Sequence, residues 1–91
     1  MLFKWSSEKA KINFKKHGIS FEDATTVFGD PLSITIEDPV HSSVGDERFM
    51  TLGRSRKGRL LVVVHSEKEG FMRIISARRT TPSERRNYEE T

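Results

Sequence analysis

The segment from residue 73 to residue 88 constrains the fold of this chain more than any other. Its first half combines arginines with β-branched and small residues, which predicts a strand. Thr81 then supplies a good N-cap, Pro82 occupies the first helical position, and Glu84 completes a capping box, so a helix is predicted to begin here. The chain must therefore pass from a strand end almost directly into a capped helix.

This strand-to-helix corner carries four arginines. Arg78 and Arg79 end the predicted strand, and Arg85 and Arg86 lie in the helix. Their mutual repulsion is a cost that a purely structural role does not explain. A guanidinium offers a planar fork of donors that stays charged at any working pH, which suits phosphate. Arg78 is the strongest candidate, because the adjacent helix N-terminus also favours an anion.

Charge is distributed unevenly along the chain. All nine arginines lie after residue 46, where the net charge is +5, whereas the first 46 residues are slightly acidic. Such segregation predicts a polyanionic partner, although an ordinary solvated surface is the alternative. Nucleic acid is favoured over a membrane, since no basic amphipathic helix of membrane type is visible. The longest apolar run, Leu60–Val64, is also too short to cross a bilayer.

Length and composition limit the remaining possibilities. The 91 residues suit one domain spanning 1–91, and the absence of cysteine excludes disulfides and thiolate metal sites, which fits a reducing cytoplasm. His17, His41 and His65 lack metal-ligand spacing, and no acidic cluster resembles a magnesium site. We therefore predict neither a metal ion nor another cofactor.

Hydrophobic periodicity predicts eight elements in a small α+β domain. In order they are a strand at 2–5, a helix capped by Ser6 or Ser7 and ending near Lys16, a second helix capped by Ser20 and ended by Gly29, strands at 32–37, 47–53, 59–65 and 71–79, and the C-terminal helix. A loop occupies 38–46. The last four strands are predicted to form an antiparallel meander with the helices packed on one face.

Several motifs, taken in order, resemble those of one protein family. They are Trp5, Lys9-x-x-x-Asn13-x-x-Lys16-His17-Gly18, Phe21-Glu22-x-Ala24, Val27-Phe28-x-Asp30, Glu47-Arg48, Leu52-Gly53, Arg73-Ile-Ile-Ser-Ala-Arg78 and Glu84-Arg85-x-x-Tyr88. Together they resemble the BrnT family of bacterial type II toxins over nearly the whole chain. Ser6 departs from the family pattern, in which Asp usually follows the tryptophan, but serine is an equally good N-cap.

The resemblance implies a fold, an activity and a partner. The fold is a RelE-like microbial ribonuclease fold, and the activity is metal-independent RNA cleavage that inhibits translation. The partner is a ribbon-helix-helix antitoxin, BrnA, which neutralises the toxin in a heterotetramer. That complex binds its own promoter DNA through the antitoxin.

Metal-independent RNA cleavage uses the 2′-hydroxyl as nucleophile and needs a proton acceptor, a proton donor and cations for the phosphoryl charge. The predicted phosphate-binding residues are Arg48, Arg78 and Arg79, with Arg54 and Arg73 behind them. The predicted acid–base residues are His17, His65 and Glu47. Further RNA contacts are predicted for Lys16, Asn13 and Tyr88.

Most of these residues also have a structural interpretation. His17 can bind the carbonyls at its helix end, His65 ends a buried strand, and Glu47 can pair with its neighbour Arg48. At the level of function, the alternatives to a ribonuclease are a non-catalytic nucleic-acid-binding module and a corepressor that acts with a DNA-binding partner.

Overall fold

The computed structural model describes residues 2–40 and 42–90, so the predicted loop residue His41 lies outside the described part. The elements are β1 (Phe3–Lys4), α1 (Ser7–His17), α2 (Phe21–Thr25), a 3₁₀ turn (Thr26–Gly29), β2 (Ile34–Glu37), β3 (Arg48–Arg54), β4 (Leu60–Lys68), β5 (Phe71–Arg79) and α3 (Pro82–Glu89). Within the described residues no helix has both the length and the apolar character required to span a membrane.

The first two helices begin and end where their capping residues predict. The Ser6 side chain accepts a hydrogen bond from the backbone N–H of Lys9, and Gly18 ends α1 at a φ of 71°. The Ser20 side chain caps α2 in the same way. The second helix is shorter than predicted, because the chain tightens into the 3₁₀ turn from Thr26 onward.

The five strands form one mixed sheet in the order β1-β5-β4-β3-β2. The predicted antiparallel meander of β2 to β5 is confirmed, and the short β1 adds a parallel edge that pairs only with Met72 and Arg73 of β5. On one side, here called the helix-covered face, α1, α2 and the 3₁₀ turn pack on the sheet. The core there includes Phe21, Ala24, Val27, Leu61, Val63, Ile74 and Ala77.

The C-terminal helix packs on the opposite side, here called the open face. Glu84 and Asn87 of α3 line a small cavity of about 140 Å³ over Ile34, Ile36, Met50, Leu52 and Val62. The prediction that all helices share one face is therefore wrong for α3, although its Thr81–Glu84 capping box is confirmed. The reason is that Glu84 pairs with Arg78, whose side chain points to the open face, and this contact holds the helix there.

A β-bulge in β5 decides which arginines share the open face. Val64 pairs with Ser76 and His65 pairs with Ile74, so Ile75 is an extra residue on β5. The extra residue shifts the alternation by one. As a result Arg73 and Arg78, five positions apart, lie on the same face.

Candidate functional site

Four of the predicted phosphate-binding arginines lie on the open face. Arg54 pairs with Leu60 of β4, at the same end of the face as Arg78. Arg48 and Arg73 pair with opposite sides of Ser66 on β4, whereas Arg78 pairs with Val62. Ser66 and Val62 are separated by four residues, or about 13 Å along the strand. The arginines therefore occupy two ends of the face. The floor between these ends is apolar and consists of Met50, Leu52, Val62 and Val64.

Arg78 is held by a carboxylate that the sequence had assigned only to helix capping. Its Nη1 and Nη2 donate to Oε1 and Oε2 of Glu84 at 2.8 and 2.9 Å, and Oε1 also accepts from the Thr81 N–H. The hydrogen bonds from Arg78 lower the pKa of Glu84 to about 2, and the same pairing raises the pKa of Arg78. A phosphate that binds Arg78 must therefore share this guanidinium with Glu84.

The other end of the open face has a more available cation. Arg48 is the first residue of β3, and its guanidinium lies 3.6 Å from the carboxylate of Asp46. Arg73 is exposed, and no carboxylate of residues 2–40 or 42–90 lies within 4.0 Å of its guanidinium. Arg73, placed by the sequence behind Arg48 and Arg78, is thus the most accessible of the three to an incoming anion.

Arg54 and Tyr88 form a structural contact between β3 and α3. The Tyr88 hydroxyl donates to Oδ2 of Asp30 at 2.6 Å, and the Arg54 guanidinium lies 5.8 Å from the tyrosine ring centroid. Arg54 also donates to the carbonyl of Gly58. Tyr88 is largely buried by this arrangement, which anchors α3 instead of presenting the ring for base stacking.

The remaining exposed candidates do not join the open-face arginines. Arg79 is on the helix-covered side at the end of β5, by the alternation that buries Ala77. Lys16 and His17 are exposed at the end of α1, which Arg59 fixes beside the start of β4 through a hydrogen bond to the Gly18 carbonyl. Glu47 is exposed immediately before β3.

Asn13, predicted to contact RNA, is buried between α1 and β5, with 6% of its surface exposed. Its Nδ2 donates to the carbonyls of Ile19 and Ala77, and its Oδ1 accepts from the Ala77 N–H. The short β1 leaves this part of the β5 edge without a strand partner, and the Asn13 amide takes that place. Its polar groups are used within the fold, so we leave Asn13 out of the RNA-binding surface.

His65 is also buried, with 1% of its surface exposed. Its Nε2 lies 2.7 Å from the Thr51 hydroxyl, and its ring meets Phe28 edge-on and stacks with Phe49. Burial lowers the pKa of His65 to about 4. A neutral, enclosed imidazole fits a structural role better than proton transfer to RNA.

We expect the buried His65 to make stability depend on pH. Below about pH 6.5 the unfolded chain binds a proton at this ring, whereas the folded chain does so only near pH 4. The free energy of unfolding should therefore fall as the pH drops through this window. Urea unfolding at pH 7, 5.5 and 4 would measure it, and His65→Gln should show a smaller fall between pH 7 and 5.5, above the range in which Glu84 and other carboxylates contribute. An unchanged dependence in the variant would contradict the assignment.

The described residues include no group of three or more His, Asp or Glu side chains positioned to hold a metal ion. What the open face offers is cationic: paired Arg78 at one end and Arg48 with Arg73 at the other. Guanidinium groups separated in this way suit different phosphates of an extended strand, since one phosphate cannot reach both ends.

Comparisons with known proteins agree with this picture. A family model described as the ribonuclease toxin, BrnT, of a type II toxin–antitoxin system matches residues 5–84. The chain is also similar to the 1.1 Å crystal structure of the Brucella abortus ribonuclease toxin BrnT, at 19% sequence identity and a TM-score of 0.63. That alignment covers 89% of this chain and 99% of the other, and it bears on the fold. A search of curated proteins finds no match.

Proposed function

Because this chain belongs to the BrnT family of ribonuclease toxins of type II toxin–antitoxin systems, we propose that it cleaves a single RNA strand on its open face without a metal ion. The observation that carries the proposal is the placement of Arg48, Arg73 and Arg78 on one side of the sheet. We propose further that residues 1–91 form one toxin domain with a RelE-like fold that acts in the bacterial cytoplasm.

The proposed reaction is an attack of the RNA 2′-hydroxyl oxygen on the adjacent phosphorus. The new bond closes a 2′,3′-cyclic phosphate, and the bond from phosphorus to the 5′-oxygen breaks. The 2′-hydroxyl loses its proton, and the leaving 5′-oxygen gains one. Negative charge builds on the phosphoryl oxygens in between, and fixed cationic donors lower the barrier by stabilising that charge.

Arg78 is the residue that we assign to the reacting phosphate. Glu84 holds its guanidinium by two hydrogen bonds and so fixes its direction before RNA arrives. Thr81 in turn fixes Glu84, because the capping box uses both side chains. Such pre-orientation reduces the rearrangement needed when charge develops on the phosphate. Arg48 and Arg73 then bind phosphates farther along the strand, at the other end of the face.

The open face offers fewer side chains for proton transfer than for phosphate binding. His17 and Glu47 are exposed but lie away from Arg78, and they stay predicted acid–base groups. The Glu84 carboxylate is adjacent to Arg78, yet its low pKa makes it a weak base. We therefore assign most of the rate acceleration to charge stabilisation by arginine.

As a type II toxin the chain has an antitoxin partner and an RNA target. We propose that the antitoxin is a BrnA-like ribbon-helix-helix protein, that the complex is a heterotetramer, and that it reaches operator DNA only through the antitoxin. A neutralising antitoxin would place acidic or aromatic side chains over the open face, because this face carries the cationic substrate path.

A second function is favoured by one observation. Arg78 and Glu84 already satisfy each other's charge and hydrogen-bonding groups. A surface that only binds nucleic acid would show the same pair. A nucleic-acid-binding module or a corepressor without cleavage activity would use the same arginines. The two functions differ in whether RNA bound by the chain is cut.

The placement of the substrate is tested by Arg73→Ala. Loss of one charged contact to phosphate should raise the KM for RNA about tenfold while the turnover changes little. The control is Arg56→Ala, since Arg56 is an exposed arginine in the turn between β3 and β4. Steady-state cleavage of one defined RNA would measure both variants. Equal KM values for the two would contradict binding on the open face.

A further inference from the structure

We propose that the end of the open face opposite Arg78 is a nucleotide-binding subsite, in which Phe71 stacks on an RNA base while Lys4 and Arg73 hold its phosphate. This inference deepens the proposed function and rests on it. It assigns roles to Phe71, Lys4 and Ser66, to which the sequence pattern gave none.

The strand register places the subsite residues in one row. Lys4 of β1 pairs with Arg73 of β5, Arg73 pairs with Ser66 of β4, and Ser66 pairs with Arg48 of β3. Residues that pair directly across a sheet project from the same face. Four neighbouring strands therefore place three cationic side chains and one buried serine hydroxyl in a row on this side of the sheet.

Phe71 lies beside this row on the same face, two positions before Arg73. The Lys4 ammonium is 4.4 Å from the centroid of its ring, and the Arg73 guanidinium is 6.0 Å away. Among the strand residues that the structure describes, Phe71 is the single aromatic side chain on the open face, because Phe3 and Phe49 lie on the helix-covered face. Phe71 is half-buried, and an aromatic ring flanked by cations is a typical platform for single-stranded nucleic acid.

Two buried polar atoms in the same row have no hydrogen-bond partner within residues 2–40 and 42–90. Ser66 is 1% exposed, and its Oγ accepts or donates no hydrogen bond among the described residues; the same holds for Nε of Arg48. An unmade hydrogen bond in a buried position is costly, so such atoms usually have an external partner. A phosphate oxygen drawn in by Arg48 and Arg73 would supply an acceptor for both donors.

The charges around the row favour an anion. The carboxylate of Asp46 pairs with both Arg48 and Lys68, at 3.6 and 3.3 Å, so two cations neutralise it. Lys4 and Arg73 are exposed and form no ion pair with any carboxylate of residues 2–40 and 42–90. These two cations match the phosphate of a nucleotide, and the aromatic ring beside them matches its base.

The subsite is distant from Arg78. Six strand steps separate Phe71 from Arg78 once the bulge is discounted, which is about 20 Å. The bound nucleotide is therefore several positions from the reacting phosphate. It sets how long an RNA must be for tight binding and leaves the chemical step unaffected.

The test uses a defined RNA and a set of copies that each lack the base at one position. In wild-type protein, one position in the set should raise KM about tenfold when its base is missing, because stacking is lost. Phe71→Ala should raise the KM for the intact RNA by a similar factor. Removing the base at the sensitive RNA position should then raise the KM of this variant no further. Phe71→Tyr, which keeps a ring, should behave as wild type.

The matched control is Phe14→Ala, since Phe14 is 56% exposed on α1 and lies off the open face. The subsite is overturned if Phe71→Ala binds intact RNA as tightly as wild type. It is also overturned if wild type tolerates a missing base at every position, a result that needs no variant to fold. If the proposed function fails, the result is different, because no RNA is cleaved. Fluorescence anisotropy would then measure the affinity for the same RNAs and still show whether the subsite exists.

Discussion

Asn13→Ala is expected to destabilise the fold by about 3–5 kcal/mol, because three buried hydrogen bonds from its side-chain amide to the backbone are lost at once. The Ala77 N–H and carbonyl would face an apolar gap at a strand edge that β1 does not cover. A domain of this size has a total stability of only roughly 5–15 kcal/mol. Denaturant unfolding monitored by circular dichroism would measure the change.

The control is Ile12→Ala on the same helix. Ile12 is 58% exposed, so its truncation should change the free energy of unfolding by less than about 0.5 kcal/mol. A small effect of Asn13→Ala, similar to that of Ile12→Ala, would contradict the role of the amide as a substitute strand partner for β5.

Arg78→Ala is expected to lower the cleavage rate by about 10²–10³-fold, the usual loss when one fixed donor to a developing oxyanion is removed. The loss should appear in kcat, because the contact strengthens as charge builds on the phosphate. Arg78→Lys should recover little activity, since lysine keeps the charge but cannot form the two parallel hydrogen bonds to Glu84. Single-turnover cleavage of a defined RNA would measure these rates.

Arg85→Ala is the control for the corner. Arg85 is exposed on α3, and its nearest carboxylate is Glu89 at 3.8 Å, so its loss should leave kcat nearly unchanged. Circular dichroism must show that Arg78→Ala is folded, because Glu84 loses its partner. A folded Arg78→Ala protein that cleaves at the wild-type rate would exclude Arg78 from the reaction.

Local sequence signals predicted the elements well because each depends on a few neighbouring residues. Gly18 ends α1 and Thr81 caps α3 as predicted, and the observed bounds of β5 equal the predicted ones. The antiparallel meander followed from tight turns between successive strands, which leave few other topologies. These features need no knowledge of contacts between distant residues.

The composition of the site could not be predicted in the same way. A strict period of two puts Arg73 and Arg78 on opposite faces, and only the bulge at Ile75 brings them together. Asn13 has polar neighbours in sequence and reads as a solvated helix position, yet it meets β5 across 64 residues of chain. Likewise, the capping role of Glu84 was evident, whereas its pairing with Arg78 depends on the side of the sheet on which α3 packs.

We propose that this chain cuts RNA through its own cationic side chains. The most direct measurement is incubation of the protein with a defined, ribosome-free RNA in excess EDTA, followed by analysis of the product ends. We predict cleavage that persists in EDTA and leaves 2′,3′-cyclic or 3′-phosphate ends with 5′-hydroxyl partners. Cleavage that stops in EDTA and returns with added magnesium would contradict the mechanism, and tight RNA binding without any cleavage would favour the non-catalytic module.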